Sequence, residues 1–138
     1  MKTLALMAAL GLSLAVTGPA HAGDADAGES TYNKCKACHA ISDGENVIVK
    51  GGKVGPNLYG IIGSVAGSVD GFRYGDDIVK MGANGLVWTE ELLAEYVVDP
   101  KAFLQAKLDD KGAKSRMSYK LRKGGEDVAA YLASVTGS

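Results

Sequence analysis

The sequence lacks four features that would place it in large structural or functional classes. Its 138 residues carry a formal net charge of −1, without the basic excess that nucleic-acid binding requires. No segment after residue 22 has the roughly 20 consecutive apolar residues needed to cross a bilayer. Convincing strand alternation and internal repeats are also absent. The length predicts one domain, which we expect neither to bind nucleic acid nor to span a membrane.

The N-terminus has the layout of a secretory signal peptide. Lys2 supplies a positive charge, residues 4–16 are apolar, and a small-x-small cleavage site (AHA) ends at Ala22. The apolar run is short for a membrane anchor, which is the weaker alternative. We therefore expect cleavage of residues 1–22 after Ala22, leaving residues 23–138 as a soluble protein, most simply in a bacterial periplasm. Loss of Lys2 would leave 14 basic and 16 acidic residues, a net charge of −2.

The scarce cysteines and histidines cluster in one short motif. The segment YNKCKACHAI places Cys35 and Cys38 three positions apart, with His39 directly after them. A disulfide is one interpretation, because exported thiols usually oxidise. Such a short bridge is more often redox-active, however, and that type is normally found beside a βαβ pattern. Structural zinc needs four ligands, and residues 23–138 offer only these three of the Cys or His type.

The pattern C-x-x-C-H is typical of covalent attachment of c-type haem. The two thiols add to the two vinyl groups of one porphyrin as thioethers, and the histidine ligates the iron. Cys35, Cys38 and His39 would then each have one role. Export agrees with this interpretation, since such haem is attached outside the cytoplasm. We therefore predict one covalently bound haem c, whereas a thiol oxidoreductase would show no Soret absorption.

The second axial position of the iron has few candidates. No histidine follows His39, so a methionine thioether is the remaining natural ligand. Met81 lies in a glycine-rich turn (VKMGANG), and Met117 lies in a polar segment (GAKSRMSYKL). Methionine is also a common filler of apolar cores. A lone thioether in a polar loop has little packing reason to be there, which favours Met117 and leaves Met81 as the alternative.

The remaining pattern predicts an all-α protein with long loops. Five helical segments are expected, over residues 24–36, 76–81, from Thr89 to Pro100, briefly through 103–104, and from Gly125 onward. Residues 42–71 are dense in glycine and predict loops. Helices this few make a small core, so a buried haem would complete it.

Five segments together resemble the class I cytochromes c, most closely the bacterial cytochrome c2 type. They are GDADAGESTYNKCKACH, VGPNLYGIIG, GFRYGDDI, GLVWTEELLAEYVVDPKAF and KSRMSYKL. The resemblance covers nearly all of residues 23–138. It implies the class I cytochrome c fold, in which few helices and long loops wrap around one covalently bound haem.

The resemblance also implies roles for individual residues. His39 and Met117 match the two axial ligands of the haem iron, and Met81 matches no functional position. Pro56 matches the position whose carbonyl accepts a hydrogen bond from the proximal imidazole, which would fix the tautomer of His39.

Three aromatic residues match positions around the haem. Tyr74 and Trp88 match the groups that hydrogen-bond the buried propionate, and Tyr96 matches the tyrosine near the distal sulfur. Two segments, SDGENVIVKGGK and LQAKLDDKGAKS, are longer than in the short members of the family, and the usual proline before the distal methionine is missing. These differences leave the stiffness of the Met117 loop open, and a looser loop would release the iron–sulfur bond more easily.

The expected ligands indicate an electron carrier rather than an enzyme. A thioether and an imidazole raise the reduction potential and occupy both axial positions. The resemblance implies a periplasmic carrier of single electrons from a quinol-oxidising cytochrome bc complex to a photosynthetic reaction centre, a terminal oxidase or both. A haem enzyme or gas-binding protein with a labile sixth ligand is the alternative.

Basic residues crowd the segment around Met117. Six of them and no acidic residue lie between positions 111 and 123, and four more flank the attachment motif and the loop before Pro56. This basic patch comprises Lys34, Lys36, Lys50, Lys53, Lys111, Lys114, Arg116, Lys120, Arg122 and Lys123. It predicts electrostatic steering towards the acidic surfaces of redox proteins. We expect the carrier to be a monomer.

Overall fold

The computed structural model describes residues 23–136, so the predicted signal peptide lies outside the described residues. This part of the chain forms five helices and one two-stranded sheet. In chain order they are α1 (Ala25–Tyr32), β1 (Ile41–Ser42), β2 (Val47–Val49), α2 (Asp76–Ala83), α3 (Glu90–Val98), α4 (Pro100–Leu108) and α5 (Gly125–Val135). Helices joined by long loops confirm the predicted all-α class, with a small sheet added. None of these helices has the length and apolar content that crossing a membrane needs.

The first helix is shorter than predicted. It begins after Asp24, whose carboxylate accepts the backbone N–H groups of Asp26 (2.9 Å) and Ala27 (3.2 Å). It ends at Tyr32, where the backbone tightens into turns that continue over residues 33–38. The attachment motif therefore follows α1 in a series of turns rather than lying on the helix itself.

The first and last helices cross at close range. Gly28 is buried in α1, and a Cβ atom there would collide with the backbone carbonyl of Asp127 in α5. The Asp127 carboxylate also accepts the backbone N–H of Asp24 at 2.9 Å. The rings of Tyr32 and Tyr131 lie 5.7 Å apart at an angle of 55°. This crossing holds the end of α1, and hence the start of the attachment motif, against α5.

The junction of α3 and α4 differs from the prediction. Thr89 caps α3 as expected, with its hydroxyl accepting a backbone N–H at 3.1 Å. Pro100 not only ends that helix but begins α4, because its fixed φ suits the first helical turn. Asp99 caps the new helix by accepting the backbone N–H of Ala102 at 3.1 Å. The expected brief continuation through residues 103–104 is therefore the middle of a full helix.

The predicted loop over residues 42–71 overlaps a short antiparallel hairpin. Ile41 of β1 pairs with Val49 of β2, and Ser42 pairs with Val47, with an irregularity between the two pairs. Ile41 is fully buried, whereas Val47 is exposed. Strands of two and three residues are too short for alternation to be read, so the sequence did not reveal them.

The core contains an aromatic cluster beside α3 and α4. The Trp88 ring lies 5.0 Å from the Tyr96 ring and 5.9 Å from the Phe103 ring, measured between centroids. Met81 belongs to the same buried core and is 2% exposed. Its burial agrees with the interpretation of Met81 as a core methionine.

Candidate haem site

The cysteines and the histidine lie on consecutive turns after α1. The Tyr32 carbonyl accepts the N–H of Cys35 at 2.8 Å, and the Cys35 carbonyl accepts the N–H groups of Cys38 and His39, both at 3.0 Å. Both cysteines are partly buried free thiols. Burial, reinforced by the neighbouring Cys38, raises the pKa of the Cys35 thiol. The turns thus bring two thiols and one imidazole together within five residues, as covalent haem attachment requires.

His39 is held from one side by a backbone carbonyl. Its Nδ1 lies 2.8 Å from the carbonyl oxygen of Pro56. A carbonyl can only accept, so Nδ1 carries the proton and Nε2 keeps its lone pair for a metal. Burial lowers the pKa of His39, against the smaller raising effect of the Pro56 hydrogen bond. The neutral, ligating form of the imidazole is therefore favoured.

Gly55 forms a cradle for the imidazole ring. A Cβ atom at this position would overlap the His39 ring itself. The Gly55 N–H donates to the carbonyl of Cys38 at 2.8 Å, which ties the loop to the attachment motif. The glycine is needed here because the backbone of the loop lies directly against the ring.

Two further residues support the attachment motif and the loop after it, and neither was predicted from the sequence. The Tyr32 hydroxyl donates to the His39 carbonyl at 3.1 Å, and burial raises the pKa of Tyr32 far above its usual value. The Asn57 amide donates to the Ser42 carbonyl at 2.7 Å and accepts the Ser42 N–H at 3.0 Å. Tyr32 precedes Cys35 by one helical turn, a spacing that could have marked it. Asn57 directly follows Pro56 and could have been marked by that position.

The segment carrying Met117 is in contact with Tyr96. Met117 is partly buried and packs against the same core as Cys35. The Ser115 hydroxyl donates to the Met117 carbonyl at 2.9 Å and also shares a hydrogen bond with the Tyr96 hydroxyl. Burial raises the pKa of Tyr96, and the bond to Ser115 lowers it in part. Tyr96 is thus adjacent to the Met117 segment, and its proximity to the distal sulfur stays a prediction.

Tyr74 and Trp88 occupy different surroundings. The Tyr74 hydroxyl accepts the N–H of Val69 at 3.3 Å, and burial raises the pKa of Tyr74. The charge of an ionised Tyr74 would also raise the pKa of Tyr96. Trp88 is 3% exposed within the aromatic cluster. Contact of Tyr74 and Trp88 with a haem propionate stays a prediction.

The donor set fits a haem c. It consists of two thiols, a neutral imidazole on a backbone carbonyl, and methionine thioethers. Among residues 23–136, no group of three or more His, Cys, Asp or Glu side chains could hold a metal ion. Thiols and imidazole are therefore not arranged as a closed zinc site in this part of the chain.

The ten residues of the basic patch are all exposed, but the side chains of three of them lie beside acidic groups in an ion pair or a cleft. Lys120 forms an ion pair with Asp99 at 2.7 Å. Arg122 and Lys123 line a cleft together with five acidic residues, namely Glu90, Glu91, Glu95, Glu126 and Asp127. The expected separation of basic and acidic residues is therefore incomplete at the C-terminal end of the patch.

Comparison with known proteins identifies the family. No family model matches the chain. The chain is 59% identical to cytochrome c-551 of Roseobacter denitrificans, over 99% of this chain and 97% of that protein. It is 58% identical to cytochrome c2 of Rhodobacter capsulatus, over 96% of this chain and 97% of that protein.

Solved structures give the same result. The structure of cytochrome c2 from Rhodobacter capsulatus aligns with a TM-score of 0.80 and 60% identity, over 82% of this chain and 98% of that one. Cytochrome c2 from Paracoccus denitrificans aligns with a TM-score of 0.80 and 48% identity, over 83% of this chain and 98% of that one. The chain therefore belongs to the cytochromes c2, class I cytochromes that carry electrons on one covalently bound haem c.

Proposed function

We propose that this chain is a periplasmic carrier of single electrons whose haem iron is held by His39 and Met117. Cys35 and Cys38 would form the two thioether bonds. The observation that carries the proposal is the 2.8 Å contact between His39 Nδ1 and the Pro56 carbonyl, which leaves Nε2 as the ligating nitrogen. The haem supplies the one-electron chemistry of its iron.

The protein's own residues hold the imidazole in one orientation. The Pro56 carbonyl accepts a hydrogen bond from Nδ1–H, and the Gly55 backbone lies against the ring. The Tyr32 hydroxyl donates a hydrogen bond to the His39 carbonyl. A ligand that cannot rotate keeps the same geometry in both oxidation states, which suits electron transfer rather than bond-making.

Met117 is the ligand that separates a carrier from an enzyme. An iron with both axial positions filled has no place for oxygen or substrate. Met81 does not compete for this role in our proposal, because it is 2% exposed in the core. The ferric near-infrared spectrum tests the proposal. A sulfur-to-iron charge-transfer band supports the carrier, while high-spin features would favour the enzyme or gas-binding alternative.

We further propose that residues 1–22 are a signal peptide cleaved after Ala22, and that residues 23–138 form the cytochrome domain. The N-terminal charge, apolar run and small-x-small site support export. Cleavage there would leave α1 intact, since Asp24, which caps α1, is the second residue after the proposed cleavage point. Mass spectrometry of the exported protein should give residues 23–138 plus one haem.

The partners proposed are a quinol-oxidising cytochrome bc complex as donor and a photosynthetic reaction centre, a terminal oxidase or both as acceptors. Part of the basic patch supports docking to acidic surfaces. Seven residues of the patch neither line the acidic cleft nor pair with Asp99. They are Lys34, Lys36, Lys50, Lys53, Lys111, Lys114 and Arg116. The N–H of Gly52 donates to the Lys36 carbonyl at 2.9 Å, so the loop bearing Lys50 and Lys53 lies beside the attachment motif.

A further inference from the structure

The loop before Met117 is lengthened and lacks the usual proline, and the structure ties it down at several points. We call residues 109–120 the distal loop. The Gln105 side chain of α4 donates to the carbonyls of Lys111 (2.8 Å) and Ala113 (3.3 Å). Ala113 itself is 1% exposed. The first half of the distal loop is therefore anchored to the helix that precedes it.

The second half of the distal loop is anchored to α2. The Lys114 backbone N–H donates to the Asp77 carboxylate at 2.7 Å, across 37 residues of sequence. Hydrogen bonds from a backbone N–H to an ionised carboxylate are shorter and stronger than neutral ones. Lys114 lies three residues before Met117, so this bond restrains the chain close to the proposed ligand.

Contacts around Asp77 extend the anchor towards Met117. The Arg116 guanidinium donates to the Arg73 carbonyl at 3.2 Å. A Cβ atom at Gly75 would lie 3.3 Å from the Arg116 side chain, so that side chain lies directly over the Gly75 backbone. Residues 73–77 thus form one wall along which residues 114–116 of the distal loop run. Asp77 supplies the one carboxylate in this set of contacts.

We propose that Asp77 is a positioning residue that keeps Met117 on the haem iron by holding the Lys114 backbone. The inference rests on the proposed ligation by Met117. A competing ligand reaches the iron only when the distal loop opens, so its apparent affinity scales with the open fraction. Loss of the Asp77 bond increases that fraction.

Exogenous imidazole binding to the ferric, haem-loaded protein measures the open fraction. We expect Asp77→Ala to lower the apparent dissociation constant of imidazole about tenfold, the effect of losing one hydrogen bond to a charged group. Asp76→Ala is the matched control, because Asp76 also lies in the first turn of α2 but is exposed. The control should stay within about twofold of the unmodified protein. Asp77→Asn keeps an acceptor oxygen and should restore most of the resistance to imidazole.

The outcomes distinguish a failure of the role of Asp77 from a failure of ligation by Met117. Absence of the sulfur-to-iron band in the unmodified protein would overturn ligation by Met117, and the role of Asp77 with it. If the band is present and Asp77→Ala matches Asp76→Ala in imidazole binding, ligation stands and the role of Asp77 is overturned. Amide hydrogen exchange of Lys114 in the unmodified protein does not depend on any variant folding. Protection of that amide supports the bond, and exchange at the rate of an unstructured peptide overturns it.

Discussion

At the scale of single residues, the shape of the site depends on the loop that lies against His39. Pro56 contributes a carbonyl 2.8 Å from Nδ1, and Gly55 contributes a backbone without a side chain in the way of the ring. The resemblance implied the role of Pro56. The role of Gly55 could not be read from the sequence, because it depends on how closely two segments 16 positions apart approach each other.

Gly55→Ala should therefore displace the imidazole or the loop. A methyl group at this position overlaps the His39 ring, and we expect the free energy of unfolding to fall by about 1–3 kcal/mol, as for overpacking elsewhere. Denaturant unfolding measures the change. Gly112→Ala is the control, since a Cβ atom there meets only the Asp110 side chain, at 3.1 Å, and should cost within about 0.5 kcal/mol. Equal effects of the two changes would contradict the cradle.

At the scale of elements, the sequence predicted the helices with strong local markers and missed the extent of α4 and the hairpin of β1 and β2. Thr89 before two glutamates marked α3, and the apolar spacing after Gly125 marked α5. The extent of α4 was missed because Pro100 was interpreted as a terminator only, whereas Asp99 makes it a starting point. The hairpin of β1 and β2 was missed because its strands are too short to carry a pattern.

The junction between α3 and α4 should be sensitive to acid. Two hydrogen bonds hold the pKa of Asp99 below its usual range. The one from Lys120 has the larger effect, and the one from the Ala102 N–H has the smaller. A depressed pKa adds stability above the unfolded-state pKa of about 4, and this stability is lost as the pH falls through the folded-state pKa. Asp99→Ala should thus lower the melting temperature by a few degrees at pH 7, with a smaller difference in acid.

Asp99→Asn separates the two contributions of this side chain. The amide still caps α4 but cannot titrate, so it should retain most of the stability at pH 7 and lose the part that depends on pH. Melting curves measured by circular dichroism from pH 3 to about pH 7 make the comparison. A difference between the unmodified protein and Asp99→Ala that is independent of pH would contradict the role of the carboxylate.

At the scale of the whole molecule, basic and acidic residues are less separated in the structure than in the sequence. All ten residues of the basic patch are exposed, as expected of a docking surface. Arg122 and Lys123 nevertheless share a cleft with acidic side chains from α3 and α5. Sequence order placed them with the distal loop, but the packing of α5 against α3 brings acidic residues beside them.

Salt dependence tests the docking surface. Electron-transfer rates with an acidic redox partner should fall steeply as ionic strength rises, because screening weakens steering. Lys36→Gln should reduce both the rate at low salt and the slope, whereas Lys123→Gln should change them little, since Lys123 lies among acidic side chains. A rate that does not change with salt would contradict steering. Equal effects of the two changes would contradict the restriction of the docking surface to the seven residues that include Lys36 and exclude Lys123.

The proposed function as an electron carrier depends on which methionine ligates the iron, and one pair of variants decides this. Each change removes one thioether sulfur: Met117→Leu removes it from a polar loop, and Met81→Leu removes it from the core. The reduction potential and the ferric near-infrared band of both purified proteins are measured. We expect Met117→Leu to lose the band and to lower the potential by on the order of 100 mV or more, with Met81→Leu unchanged in both. A Met117→Leu protein that keeps its band and its potential would contradict ligation of the iron by Met117.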